Sequence, residues 1–306
     1  MNGGSSGNNA FAGGTAFSKY HPAVGMLYFA LAIGFAMFLT HPVCLVLSFV
    51  CAFGYSIMLL GKKAIRFYLI PLMLLTALMN PLFSHRGVTI LTYLPNGNPL
   101  TMESILYGFS AAFMLVAVVT WFSCFNKVMT SDKLVYLFGR VLPSLSLVFS
   151  MALRFVPQFA AQAKAIAAAQ KCLGRDISSG NILQRAKHGI KILSILVTWA
   201  LENAIDTADS MKSRGYGLPR RSAFAIYRME KRDKTALLFL LTCSAIVIAG
   251  AAAGQLEFHF YPMIGGGKFS VWQAGLFIIY FALCGLPFWA GGREAVQWKR
   301  ALRVTA

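Results

Sequence analysis

The chain has 306 residues, of which 57% are hydrophobic and only 12% charged, with 28 Lys and Arg against 10 Asp and Glu and a formal net charge of +18. Soluble domains carry about 25% charged residues, so a wholly water-facing fold is excluded. The positive excess calls for no nucleic acid: no aromatic-interleaved basic groove or zinc motif accompanies it, and membrane proteins gather Lys and Arg in cytoplasmic loops.

In chain order, the first element is a Gly/Ser/Asn-rich stretch, MNGGSSGNNAFAGGTAF, with no charge before Lys19. It lacks the basic start of a signal peptide, and residues 1–19 are read as a flexible tail. Six strong apolar spans follow, at about 24–40, 43–60, 65–83, 104–125, 235–253 and 270–290, each close to the roughly 20 residues that a bilayer demands. Pro71 lies inside the third span, which ends at Asn80-Pro81. The next loop reads GVTILTYLPNGNPLT. Its β-branched run and PNGN turn predict a short hairpin.

Lys62, Lys63 and Arg66 sit between spans two and three, Lys127 and Lys133 after span four, and Arg293, Lys299, Arg300 and Arg303 after span six. The alternate loops are nearly uncharged. The positive-inside rule therefore predicts both termini in the cytoplasm. Gly25, Gly34, Gly54 and Gly108 in the spans serve either as ordinary helix packing or as sliding surfaces. Five of the six cysteines lie in apolar segments and read as packing residues.

Residues 126–234 differ in character: they hold 18 of the 28 basic residues. Two apolar patches, 141–153 and 192–201, are shorter than a span and are expected at the membrane interface or dipping against other helices. Two long helices are predicted. One runs from near Pro143 past Pro157, where a kink is expected, through the alanine-rich QFAAQAKAIAAAQKCLGRD to about Leu173. Gly174 suits the left-handed position that ends a helix. The other starts after Asn181, a good cap, and runs from about Ile182 to Ser213, with Gly215 as its stop. Glu202, Asp206 and Asp209 form one acidic stripe along it. Arg214 is left at the tip, near the negative end of the helix dipole. A planar guanidinium there suits bidentate pairing with a partner carboxylate. Capping of its own helix, or contact with lipid phosphate, is the alternative.

The segments MALRFVPQF, AQKCLGRDISSG and ENAIDTADSMKSRGYG, with the opening YHPAVGMLYF, resemble the T component of energy-coupling factor transporters, the EcfT/CbiQ family. The likeness covers nearly all of the chain from Tyr20. It implies an all-α integral membrane protein of about six transmembrane helices with two long cytoplasmic-side coupling helices. The expected division is a tail at 1–19, transmembrane helices one to four at 20–125, a coupling module at 126–234, and the last two membrane helices with a basic tail at 235–306.

The resemblance also implies a role. Such proteins scaffold ATP-driven importers of vitamins or transition-metal ions. Two ABC ATPases bind below, and a separate membrane S component captures the substrate. Each coupling helix ends in an Ala-Arg-Gly-like signature whose arginine enters a groove of one ATPase. Here the second signature is Ser213-Arg214-Gly215. The first departs: Cys172, Leu173 and Gly174 stand where Ala, Arg and Gly are expected, with Asp176 at the acidic position. Either Arg175 or Lys171 replaces the missing arginine, or this contact is apolar. The chain itself is expected to be non-catalytic and to bind no cofactor. It has no GKS or GKT phosphate loop, so ATP belongs to the partners. A stand-alone channel or secondary transporter is the rival reading, weakened by the absence of an internal repeat.

Overall fold

A computed structural model describes residues 16–83, 87–93, 99–141, 143–175, 181–216, 218, 227–261, 265–266 and 270–292. Asp176 and the basic C-terminal residues from Arg293 onward lie outside them. Apart from two short hairpins, the described residues are helical. They fall into two compact units, Met1–Lys133 with Tyr227–Ala306, and Leu134–Ile226.

The first unit begins with a 3₁₀ turn, Ala16–Lys19. Helices α1 (Pro22–Phe38) and α2 (Pro42–Leu60) follow. Both start with the same device. A histidine at the N-cap accepts a backbone N–H on its Nδ1, from Ala23 to His21 and from Val43 to His41. A proline then occupies N1, where its missing N–H costs nothing. Burial lowers the pKa of His41 from its ordinary value, which favours the neutral ring that can accept this bond.

Helix α3 (Lys62–Phe83) continues through both Pro71 and Pro81. The expected hairpin is present: β1 (Ile90–Tyr93) pairs antiparallel with β2 (Pro99–Thr101). Thr101 then caps α4 (Met102–Val128). The buried Glu103 carboxylate accepts both the Thr89 hydroxyl, at 2.6 Å, and the Thr89 N–H. This ties the hairpin to the helix start. Gly87 is a glycine of necessity, because a Cβ there would lie 2.6 Å from a Glu103 carboxylate oxygen.

After the second unit, α8 (Lys231–Ala252) and α9 (Val271–Cys284) complete the first. A helical segment Leu286–Gly292 continues α9 at a 54° bend. Three described helices, α2, α4 and α8, are each long and apolar enough to cross a membrane, and α9 with its bent continuation makes a fourth if the two are one broken span rather than a re-entrant loop. Helix α1 and the Leu69–Phe83 part of α3 are apolar but shorter. The six spans read from the sequence thus fall on six helices; three of these, α2, α4 and α8, are by themselves long and apolar enough to cross, and a fourth crossing requires α9 and its bent continuation to act as one span.

The core of this unit is aromatic. Trp121, Tyr28, Tyr55 and Phe29 are fully buried or nearly so. Their rings meet edge-on or tilted at 5.2 to 6.4 Å. Trp121 Nε1 donates to Ser48 Oγ at 3.1 Å, and the Tyr28 hydroxyl donates to the Cys284 carbonyl at 2.8 Å. The Trp121 and Tyr28 polar tips are thereby satisfied, as a dry interior demands. Cys44, Cys51, Cys124, Cys243 and Cys284 are buried here as free thiols.

The glycines of the spans serve mainly packing. A Cβ at Gly108 would lie 2.7 Å from the Ala77 carbonyl oxygen, so α3 and α4 touch backbone to backbone. Gly25 faces Met129 and Gly54 faces Phe288, whereas nothing lies within 4 Å of Gly34. We expect Gly108→Ala to destabilise the folded chain by about 1–3 kcal/mol, read as a lowered unfolding midpoint in detergent, while Gly34→Ala leaves the midpoint in place.

The second unit consists of most of α5 (Ser131–Val141) together with α6 (Pro143–Cys172) and α7 (Ile182–Ser213). Of the 141–153 patch, residues 143–153 lie in α6, and the 192–201 patch lies in α7; among the described residues neither helix qualifies as a span. Pro157 sits inside the continuous α6. Helices α6 and α7 pair through few large contacts, among them Phe159 edge-on to Trp199 at 5.6 Å. Only Ile192 is buried along the 32 residues of α7.

Candidate docking site

The two helix ends singled out by sequence share one backbone geometry. At the end of α7, Gly215 adopts φ 77°. Its N–H donates to the Lys212 carbonyl, and that of Tyr216 donates to the Met211 carbonyl. At the end of α6, Gly174 adopts φ 73°, its N–H donates to the Lys171 carbonyl, and that of Arg175 donates to the Gln170 carbonyl. Both are Schellman closures. Placed on one another, Arg214 corresponds to Leu173, Gly215 to Gly174, and Tyr216 to Arg175.

This correspondence bears on the basic residue missing from the first tip. The position equivalent to Arg214 holds Leu173, which is 67% exposed. Arg175 takes the place of Tyr216, past the glycine, where the chain has already turned out of the helix. Lys171 lies in the last helical turn and is exposed. The closure alone marks no site, since α8 ends the same way at Gly254 with Ala253 as its cap. What separates α7 is the charged residue carried at the cap.

Arg214 is exposed, and its backbone N–H closes the last helical turn on the Ser210 and Met211 carbonyls. Among the described residues its guanidinium makes no ion pair within 4 Å. Instead it lines a cavity of about 390 Å³ inside the second unit, with Arg154, Asp206, Ser150, Ser210 and Tyr216 also on the wall. Asp206 shares this wall with two arginines, and among the described residues no ion pair within 4 Å joins it to either. Ser213 turns its hydroxyl back to the Ser210 carbonyl at 2.9 Å, so it finishes the helix rather than projecting outward. Gly215 cannot take a side chain freely: beyond its positive φ, a Cβ would approach Leu218 to 3.1 Å.

Above the tips the unit exposes much apolar surface. Val148 and Val156 on α6, and Leu193, Val197, Leu201 and Ile205 on α7, are all about half exposed or more. The α7 residues recur every four positions, so they form one stripe.

The family model for CbiQ, described as cobalt transport protein, matches residues 17–224, which takes in both tips. The chain belongs to the CbiQ family. Among its relatives, the energy-coupling factor transporter transmembrane protein EcfT of Lactobacillus helveticus is 34% identical over 105 residues, 34% of this chain and 38% of that protein. The EcfT protein of Staphylococcus aureus is 27% identical over 198 residues, 61% of this chain and 72% of that one. That of Bacillus selenitireducens is 29% identical over 198 residues, 61% and 73% of the two chains. The first of these matches therefore spans about two fifths of the relative's length. CbiQ membership agrees with the apolar helices of the first unit.

Proposed function

We propose that this chain is the transmembrane coupling component of an energy-coupling factor importer. Its two helix tips dock two ABC ATPases on the cytoplasmic side, and its apolar helices hold a separate membrane subunit that captures a vitamin or a transition-metal ion. The observation that carries this reading is the pair of superimposable helix closures, one of which presents an arginine at its cap. The relatives named as energy-coupling factor transporter proteins support it, as does the apolar surface of α6 and α7, which asks for cover by lipid or a membrane partner.

In this reading the chain performs no chemistry. ATP binding closes the two ATPases on one another. Tips seated in their grooves move with them, and α6 and α7 pass the motion on. Alanine-rich α6 supplies a stiff helix. Arg214 supplies a charge-assisted contact worth about 1.5–3 kcal/mol. At the other tip, Leu173 offers an apolar contact, with Lys171 and Arg175 on either side of it to meet acidic groups at the rim of the groove. Asp176 follows the turn. Both termini lie in the cytoplasm.

Affinity purification of the tagged chain from its own cells, followed by mass spectrometry, tests the assignment. Two ABC ATPases and one further small membrane protein are the expected companions. A chain that emerges without nucleotide-binding partners, and moves solute alone in vesicles, would instead be a self-sufficient channel or carrier.

The leucine at the first tip makes a second expectation. Leu173→Arg places a guanidinium where α7 already has one. It should tighten ATPase association about tenfold, the equivalent of 1.4 kcal/mol, and make that association more sensitive to salt. An unchanged or weaker affinity in a titrated pull-down would show that the groove facing this tip is apolar.

A further inference from the structure

The chain leaves the first unit after Lys133 and returns to it at Tyr227. Both of these roots are held by the same few residues at the front of α1. The Lys133 ammonium, with the residue only 9% exposed, donates to the Ser18 carbonyl at 2.6 Å and to the Val128 carbonyl at 2.9 Å. From the returning root, Arg232 donates to the Lys19 carbonyl at 3.3 Å, and its guanidinium lies over the Tyr20 ring, 5.1 Å from the centroid. The buried Asp233 carboxylate receives the His21 N–H at 3.4 Å and the Glu230 N–H at 3.0 Å. Arg232 Nε stands 3.9 Å from the same carboxylate.

The gripped segment is itself anchored. Phe17 is 1% exposed and meets the rings of Tyr20, Tyr28 and Phe29 at 5.1 to 6.2 Å. Through Tyr28 and Phe29 it joins the Trp121 cluster. Residues 17–21 are thus fixed to α1, and through it to α4, on one side, and on the other they hold α5 and α8 where each begins.

A lysine, an arginine and a buried aspartate spent on main-chain groups are more than a loop connection needs. Burial of the ammonium disfavours its charge, so the two carbonyls must compensate. Such contacts are strong only while the geometry is kept, which suits a joint that must not open.

We propose that residues 17–21 form a clasp that holds the two roots of the α6–α7 unit together, with Lys133, Arg232 and Asp233 as its positioning residues. Motion at the helix tips is then delivered to α1, α4 and α8 instead of being spent in spreading the roots. This mechanical role rests on the docking reading, but the clasp itself is a property of the chain alone and is tested without partners.

The test is pulsed electron–electron resonance on the whole chain in lipid nanodiscs. Nitroxides are placed at Ser131→Cys and Met229→Cys, both exposed, in a Cys172→Ser background that leaves only buried cysteines. The native clasp should give one narrow distance. Lys133→Met combined with Asp233→Asn should broaden it roughly twofold or more, as expected of local opening with the global fold retained. Lys133→Arg, which can still donate to both carbonyls, should keep the native width. If the double variant loses its helical content, the near-isosteric Asp233→Asn alone is read by the same criterion. A native width in the clasp-broken chain, a broad distribution in the native chain, or equal broadening in Lys133→Arg and Lys133→Met would each overturn the proposal. None of these outcomes depends on whether ATPases bind.

Discussion

Replacing Arg214 by Glu should weaken ATPase association roughly a hundredfold, in line with the 2–5 kcal/mol that loss of one partner from a buried charge pair costs. The guanidinium is exposed and has no ion pair within the described part of its own chain, so its removal breaks none, and Arg154 remains on the cavity wall beside Asp206. A carboxylate at the C-terminal end of α7 meets the dipole unfavourably, but by only about 0.3–1 kcal/mol. That is too little to undo a 32-residue helix. Yield and membrane insertion should therefore match the native chain while co-purified ATPase falls away. Arg214→Gln should lie between the two, because it keeps a hydrogen-bonding head and loses the charge. ATPases recovered at the native level with Arg214→Glu would remove the tip from the interface.

The second large effect is expected at Trp121. It is fully buried, it meets Tyr28, Phe29 and Tyr55, and its Nε1 reaches Ser48. Helices already in a bilayer gain little from leaving water, so this cluster holds by packing and by the Trp121–Ser48 and Tyr28–Cys284 hydrogen bonds. Trp121→Ala opens a cavity between α1, α2 and α4 and should cost about 3–5 kcal/mol. Trp121→Phe keeps most of the contact and loses the donor to Ser48, a cost of about 1 kcal/mol. Thermal unfolding in detergent should rank native, Phe, Ala in that order, with the wider gap before Ala. Equal midpoints for Phe and Ala would place the strength of the unit elsewhere.

Much of this architecture is legible in the sequence because the membrane imposes length and composition. The six apolar runs coincide with helices for that reason. The hairpin at 90–101 announces itself through its β-branched run, and both tips through a glycine that only the left-handed conformation explains. The tips also show a limit of spacing. AQKCLGRD offers two basic residues beside the glycine, and only the hydrogen bonds of the closure show that Leu173 takes the cap position.

The contacts that escaped the sequence are those made by residues far apart in the chain. Residues 16–19 lie in the stretch read as a tail, yet they form a turn around a buried phenylalanine. Nothing within AFSK announces this, because its partners lie up to 213 residues away. Lys133 reads as one more inner-loop cation, and Asp233 as one more charge before a span. Their burial comes from neighbours supplied by other helices. The Glu103–Thr89 bond is hidden likewise, because the β-branched run announces the hairpin but not the carboxylate that ties it to α4.

In the proposed docking role, the unlike side chains at the two helix ends distinguish tips whose backbone closures are alike. Two identical motor subunits would meet a leucine on one side and an arginine on the other, and one of them would always be mismatched. Two different motors, one with an oily notch and one with an acidic notch, can be seated in only one order. The amino acids at positions 173 and 214 would then act as an assembly key that specifies which motor sits where.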